Sequence, residues 1–290
     1  MSPRPLDHLV MPVTDIRIAR ERLTALGFTV AADARHPFGT ENACVFFGDK
    51  SYLEPLGIAS EEECAATAKA GNQFTARNNA FRFRQGPEGL SAIVMGSDDA
   101  EGDHARFRGE GISGGDILQF SRVMKLPDGS EITPTFKLAF AADLRAPDFH
   151  GITCQRINVP PVDRSALEKH ANGVTGIKTV VLTEPNPEDF GDFLKQVVGQ
   201  QEMSGSNAGI SIQSANAEIR VINIEGAYDY PELIVPAERG LRGAVVIFKV
   251  TDLTATETLL ASNGVTFNRH HTVLLVPAKP GQGVPFAFSE

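Results

Sequence analysis

The 290-residue sequence lacks several features that mark whole classes of protein. Its three cysteines are odd in number and scattered, so they predict neither a disulfide framework nor a Cys-x-x-Cys metal site. There are 27 Lys and Arg residues against 36 Asp and Glu, and the net charge of -9 argues against binding to nucleic acid. No apolar run approaches the roughly 20 residues that a membrane helix needs. We therefore expect a globular protein of the reducing cytoplasm, with neither a nucleic acid nor a membrane as its partner.

Two short motifs are missing as well. There is no phosphate-binding loop ending in Gly-Lys-Ser or Gly-Lys-Thr. Residues 1–5 lead directly into a strand-like pattern, without the apolar stretch of about 7–15 residues that a signal peptide contains. The sequence therefore predicts neither a nucleotide-binding loop nor a secretion signal.

One order of elements occurs four times along the chain: a short apolar strand, a polar turn, an amphipathic helix and an exit glycine. In every copy 19 residues separate a strand residue from that glycine; the pairs are His8 and Gly27, Ala92 and Gly111, Val180 and Gly199, and Val245 and Gly264. Thr14 is expected to cap the first helix, and Gly27 to end it in a left-handed conformation. Runs of β-branched and aromatic residues follow the helices, so each unit is predicted to be βαβββ.

A single unit of this kind leaves an apolar face uncovered, so the four units are predicted to pair into two domains. The predicted boundary lies near Pro160 and Pro161, which gives domains of residues 1–160 and 161–290. Residues 59–79 are rich in Glu and Ala and predict a helical insertion between the first and second units. The order in which the units pair stays open.

The arrangement resembles the vicinal oxygen chelate superfamily, and in particular its glyoxalase-like domain families. The segments that carry the resemblance are residues 6–10, 26–30, 35–42, 52–56, 154–156 and 170–173. They are similar to the first strand, the helix exit, the His-Pro and Gly-Thr-x-Asn loop, the Tyr-Leu-Glu strand and two later signatures of these families. The resemblance implies an α+β fold, with four βαβββ units paired into two domains of curved, cup-shaped mixed sheets. It names no reaction, because the superfamily includes isomerases, lyases, dioxygenases and binding proteins.

His8 and Glu54 are the metal ligands that the resemblance implies. Since side chains alternate along a strand, His8 is expected to share a face with Leu6 and Val10. Glu54 points into the same cup if the two strands belong to one sheet. One nitrogen and one oxygen suit Zn, Fe, Mn, Co or Ni without distinguishing among them. The alternative is a buried, hydrogen-bonded histidine and a charge on an edge strand.

The second unit does not complete a metal shell. It has Ala92 where the first unit has His8, and Arg156 where the resembling families carry a histidine. A guanidinium stays protonated and cannot bind a metal. Either substrate oxygens or a side chain such as His36 complete the shell, or no metal binds and Arg156 anchors an anionic substrate. Gln155 could offer its amide oxygen to a substrate, although on a strand it points away from Arg156.

A polar loop contains His36, Thr40 and Asn42, with Pro37 and Gly39 fixing the turn. Histidine moves protons near neutral pH, so His36 is the candidate general base. Thr40 and Asn42 are candidate substrate-binding residues. The alternative is that Thr40 and Asn42 only cap the turn and that His36 faces solvent.

Two main functional hypotheses follow, beside a third in which the protein is a degenerate scaffold whose repeats serve only association. The first is a lyase or isomerase acting on a small anionic carbonyl or oxygenated metabolite, with a divalent ion on His8 and Glu54. In this hypothesis His36 moves a proton and Arg156 holds the negative group. The alternative is a metal-free protein that binds and sequesters a drug or metabolite. A homodimer is left open.

The third and fourth units are interpreted as structural. They carry Val180 or Thr179, and Val245, at the place of His8. We therefore expect this pair to contribute a lid, a dimer surface or walls of the cup.

Overall fold

The computed structural model describes residues 3–125, 131–159, 163–230 and 233–290. The boundary predicted at Pro160 and Pro161 lies outside the described residues, so the division into residues 1–160 and 161–290 stays a prediction. Below, the first half denotes residues 3–159 and the second half residues 163–290. No helix of these described segments is long and apolar enough to cross a membrane.

The first half contains two units of the predicted kind, with two helices inserted between them. Its elements are β1 (Leu6–Pro12), α1 (Ile16–Ala25), β2 (Ala34–Arg35), β3 (Thr40–Asn42), β4 (Val45–Phe46), β5 (Tyr52–Ile58), α2 (Glu61–Lys69), α3 (Gln73–Gln85), β6 (Ala92–Gly96), α4 (Ala100–Gly109), β7 (Leu118–Ser121), β8 (Met124–Lys125), β9 (Glu131–Ile132), β10 (Thr135–Ala141) and β11 (His150–Ile157). The predicted insertion is confirmed as helical, but it forms two helices and continues to Gln85.

The second half repeats the pattern. Its elements are β12 (Val174–Thr183), α5 (Gly191–Val198), β13 (Ser204–Ser206), β14 (Gly209–Gln213), β15 (Glu218–Ile222), β16 (Arg242–Val250), α6 (Leu253–Ser262), β17 (Asn268–His270), β18 (Val273–Val276) and β19 (Phe286–Ser289), with short 3-10 helices at Pro187–Phe190 and Gly226–Asp229.

The units pair in chain order, which the sequence left open. In the first sheet the strands run β2-β3-β5-β1-β6-β11-β10-β7, with β4 also on β5, and in the second β13-β14-β15-β12-β16-β19-β18-β17. The first strands of paired units lie side by side and antiparallel, β1 with β6 and β12 with β16. The strands β8 and β9 form a separate hairpin. The predicted α+β fold of four paired βαβββ units is confirmed.

The ends of the helices follow local chemistry. The first helix begins one residue later than expected, so its cap is Asp15, whose carboxylate accepts from the backbone N–H groups of Arg17 and Ile18. The predicted cap at Thr14 is therefore wrong. The four exit glycines, Gly27, Gly111, Gly199 and Gly264, all have positive φ. Because only glycine takes this conformation without strain, each of the four helices ends at a left-handed glycine; Gly199 directly follows its helix, and the other three lie two residues beyond theirs.

One face of each sheet contributes to a core that the two halves share in the described part of the chain. The Phe28 ring of the first half packs against Phe248, Phe286 and Phe288 of the second. Burying each such ring stabilises the fold by roughly 1.5–3 kcal/mol, so separating the halves would be costly. Asn172 also joins the halves by donating to the Leu26 carbonyl at 2.9 Å.

The opposite face of each sheet forms a cup with its own apolar cluster. We call them the first cup and the second cup. Helix α3 covers part of the first cup, where Phe74 packs against Phe38. Arg82 of α3 holds this cover in place by donating to the Val13 and Leu56 carbonyls.

Candidate functional site

A β-bulge in β1 decides which side chains face the first cup. Leu6 pairs with Met95 and His8 with Val94, so Asp7 is one residue more than β6 can match. The bulge shifts the alternation, and Leu6 packs in the shared core while His8 faces the cup. The expectation that Leu6 and His8 share a face is therefore wrong. The extra residue, Asp7, is buried beside His8.

The structure brings His8 and Glu54 together. Their strands, β1 and β5, are parallel neighbours in the first sheet, as the candidate site required. Nε2 of His8 lies 3.5 Å from Oε2 of Glu54, and both side chains are buried. The His8 ring also stacks on Tyr52, with 4.3 Å between ring centroids.

Arg156, Asp7, His8 and Glu54 form a chain of alternating charge, which we call the charge chain. Arg156 contacts both oxygens of Asp7, with Nη1–Oδ2 and Nη2–Oδ1 distances of 2.6 and 2.7 Å. His8 donates from Nδ1 to Oδ1 of Asp7 at 2.5 Å. Asn42 closes the inner end by donating from Nδ2 to Oε1 of Glu54 at 2.6 Å. Two positive and two negative groups balance, so the chain holds its own charges without an added ion.

Burial penalises every ion of the charge chain, but the neighbouring groups outweigh that penalty. Burial would raise the pKa of Asp7, yet the hydrogen bond from His8 and the charge of Arg156 lower it. Burial would lower the pKa of His8, yet its hydrogen bonds to Asp7 and Glu54 raise it. Burial would raise the pKa of Glu54, yet His8 and, more weakly, His36 and Asn42 lower it to about 2. The contacts with the two carboxylates therefore favour the charged form of His8.

His36, the predicted general base, lies at the inner end of the charge chain. Its Nδ1 is 2.9 Å from Oγ1 of Thr40, and its Nε2 is 3.6 Å from Oε1 of Glu54. Phe38 stacks on the ring, and Phe120 packs edge-on against it. Burial lowers the pKa of His36 to about 4, so it is a neutral and weak base at neutral pH. The alternative interpretation, in which His36 faces solvent, is wrong because the side chain is buried. A catalytic role for His36 stays a prediction.

Gln155 lies outside the first cup. Its side chain accepts from the backbone N–H of Ala100 at 3.2 Å and donates to the Asp98 carbonyl at 2.6 Å. Side chains alternate along β11, so Gln155 points away from Arg156. Its two hydrogen bonds instead link β11 to the start of α4. The proposed contact between Gln155 and a substrate does not fit this position. Thr40 and Asn42 are both buried within the cup.

The donors of the first cup do not fit a resident metal ion. Within the described residues, no three His, Cys, Asp or Glu side chains are arranged to hold one. Strand register gives the reason, since Ala92 takes the place of His8 in the second unit and Ile152 takes that of Glu54. The resemblance had placed Arg156 at this position, but it lies further along β11. Because the donor set is incomplete, we derive no chemical step from a metal.

A cavity of about 40 Å³ adjoins the outer end of the charge chain. Three arginines line it, and each guanidinium lies over an aromatic ring of the same cavity: Arg122 over Phe136 at 5.7 Å, Arg156 over Tyr52 at 5.8 Å, and Arg164 over Phe46 at 4.7 Å. We call it the arginine cavity. A volume of this size holds a group such as a carboxylate, while the rest of a larger molecule must extend outward.

The three arginines differ in how their charge is compensated. Arg156 is paired with Asp7. Nε and Nη1 of Arg122 are buried and have no hydrogen-bond partner. Arg164 forms no ion pair with any carboxylate of the described residues. The cavity therefore presents cationic donors that an anion could satisfy. No sequence pattern pointed to Arg122 or Arg164, because they reach the cavity from distant parts of the chain.

Comparison with known proteins gives both a sequence family and a fold. A family model described as a glyoxalase-like domain matches residues 6–198. No curated protein is similar enough in sequence to count as a relative. Among solved structures, a hypothetical protein from Staphylococcus aureus is 11% identical, with a TM-score of 0.67 and 98% of each chain covered.

Two further structures carry names that state an activity. A mutant of 4-hydroxymandelate synthase from Streptomyces coelicolor is 14% identical, with a TM-score of 0.61, and the match covers 99% of this chain and 92% of that one. The Mn(II)-bound glyoxalase from Novosphingobium aromaticivorans is 11% identical, with a TM-score of 0.51 and coverage of 99% and 82%. At these identities the likeness shows the fold alone.

Proposed function

Because the chain belongs to the glyoxalase-like domain family, as its motifs indicated, we propose that its first cup binds a small anionic metabolite without a resident metal ion. The observation that carries this proposal is the arginine cavity, where cations converge beside a charge chain that is already neutral. The family membership supports a small-molecule site in the cup, and the donors present support an anion as its ligand.

The arginine cavity offers two kinds of contact. Buried guanidinium N–H groups without partners cost about 1–3 kcal/mol, and an anion that accepts from them recovers this cost. Arg122 supplies these donors, Arg164 adds a second guanidinium to the lining, and the rings of Phe46 and Phe136 flank them. A ligand with a carboxylate next to a flat carbonyl group satisfies both the charge and the aromatic surfaces.

The charge chain fixes side chains that line this site and does not itself bind the charged group of the ligand. Tyr52 is stacked on His8, and Arg156 is fixed by Asp7, so both lining side chains are held by buried partners. The anchoring role expected of Arg156 stays a prediction, although Asp7 largely neutralises its charge. Arg122 and Arg164 are the stronger candidates for contacting an anion.

We expect pyruvate to bind the wild-type protein and pyruvamide, its uncharged amide, to bind at least tenfold more weakly. Arg122→Gln and Arg164→Gln should each weaken pyruvate binding about tenfold, since a hydrogen bond to a charged group contributes about 1.5–3 kcal/mol. Isothermal titration calorimetry in the presence of a chelator measures these constants. Arg17→Gln, on an exposed helix surface, is the matched control and should leave binding unchanged. Equal binding of the amide would contradict the proposal.

A metal-dependent lyase or isomerase is the second candidate. The observation that favours it is Asp7 on Nδ1 of His8, an arrangement that orients Nε2 in many metal sites. Metal analysis of the purified protein, with and without added Zn, Mn, Fe, Co or Ni, separates the two candidates. We expect no stoichiometric ion; an ion that is present in the wild type and lost in both His8→Ala and Glu54→Ala would favour the metal enzyme instead.

A further inference from the structure

The second cup contains a cavity of about 870 Å³, far larger than the arginine cavity. Its lining includes Lys178, Thr179, Glu218, Arg220, Ile247 and Ser289. Ligand sites of small molecules usually have about 300–1,000 Å³. A purely structural role, which the sequence favoured for the third and fourth units, does not account for a cavity of this size with charged side chains in its lining.

The second cup repeats the positions of the charge chain with the opposite sign. At Lys178, β12 carries an extra residue relative to β16, just as β1 carries an extra residue at Asp7 relative to β6. By the same strand register, Arg220 takes the place of Glu54. Two bases therefore stand where the first cup has two acids.

The charged side chains that line the second cup do not balance. Lys178 donates to Oγ of Ser289 at 2.8 Å and to the backbone oxygen of Glu290 at 2.6 Å, which leaves one of the three ammonium donors for a ligand. Arg220 pairs with Glu218, with an Nη2–Oε2 distance of 2.7 Å. Among the side chains that line the cavity, Lys178 and Arg220 against Glu218 leave one positive charge.

We propose that the second cup is a separate binding site for an amphipathic anion, a molecule with an apolar ring body and one carboxylate or sulfonate group. Lys178 receives the anionic group, with Arg220 next to it, and Ile247 and Val273 provide apolar wall for the ring body. The site shares no residue with the arginine cavity, so it does not depend on the function proposed for the first cup.

The test uses the full chain and two probes of the same shape, 2-naphthoate and the uncharged 2-naphthalenemethanol. By calorimetry, 2-naphthoate should bind and the alcohol should bind about tenfold more weakly, because only the anion meets the positive charge. Lys178→Gln should weaken 2-naphthoate binding about tenfold, whereas Glu218→Gln should strengthen it by freeing the Arg220 guanidinium. If two substitutions in the same wall change the affinity for 2-naphthoate in opposite directions, a general loss of folding cannot be the cause.

Arg164→Gln separates this proposal from that for the first cup, because it alters only the arginine cavity and should leave 2-naphthoate binding unchanged. Three results would overturn the proposal: no binding of 2-naphthoate to the wild type, equal affinity for the alcohol, or Lys178→Gln and Glu218→Gln shifting affinity in the same direction. Loss of 2-naphthoate binding in Arg164→Gln would also overturn it, by placing the probe in the first cup.

Discussion

Replacing Asp7 with alanine is expected to lower the free energy of unfolding by about 3–5 kcal/mol, the usual cost of removing one partner of a buried ion pair. The Asp7 side chain is only 5% exposed and is the single carboxylate that contacts both Arg156 and His8 among the described residues. Its removal leaves a guanidinium and an imidazolium side by side without the anion that separates them. Urea denaturation at neutral pH, followed by circular dichroism, measures the change.

Asp33→Ala is the matched control, because Asp33 also pairs with an arginine, Arg20, but its side chain is 56% exposed. An exposed pair contributes about 0–1 kcal/mol, so this variant should unfold almost as the wild type does. If Asp7→Ala cost no more than Asp33→Ala, the charge chain would not be the stabilising network described above. Arg156→Gln should fall between the two, since 33% of the Arg156 side chain is exposed and His8 still neutralises Asp7.

Much of the fold could be predicted from the sequence because its signals are local. The strand, helix and left-handed exit glycine that recur in each unit reflect local preferences that the unit sets by itself. The placement of His8 and Glu54 in one cup needed only strand alternation and the resemblance. Both were available without any knowledge of long-range contacts.

The remainder of the site depends on contacts that no local pattern encodes. The bulge at Asp7 arises from the pairing of β1 with β6, whose residues are more than 80 positions apart in the chain. Because the sequence does not show the bulge, it gave no reason to place Asp7 in the site. Arg156 was therefore expected to bind a ligand, whereas in the structure it pairs with Asp7. Arg164 follows the predicted boundary, so it reaches the first cup from the second half of the chain. For the same reason, only the strand register shows that Lys178 and Arg220 of the second cup occupy the positions of Asp7 and Glu54 in the first.

The stability of the protein should fall on acidification, and His36 should account for a measurable part of that loss. Burial lowers the pKa of His36 from 6.5 to about 4, so the unfolded chain takes up a proton over a pH range in which the folded protein does not. Stability is therefore fully present above about pH 6.5 and decreases as the pH falls toward 4. Between about pH 7.5 and about pH 5, this group alone should remove about 2 kcal/mol.

His36→Gln tests this expectation because the readout is the change with pH and not the stability at one pH. His150, whose pKa burial lowers to about 3, acts in the same direction, while His8, whose pKa is raised, acts in the opposite one. Glu54 contributes at lower pH, since its pKa falls from 4.5 to about 2. The difference between wild type and variant isolates His36: His36→Gln should lose about 2 kcal/mol less between about pH 7.5 and about pH 5. His271→Gln, at an exposed turn, serves as the control. Parallel pH profiles for wild type and His36→Gln would show that His36 is not held neutral by burial in the first cup, and its place beneath the aromatic rings would then need another explanation.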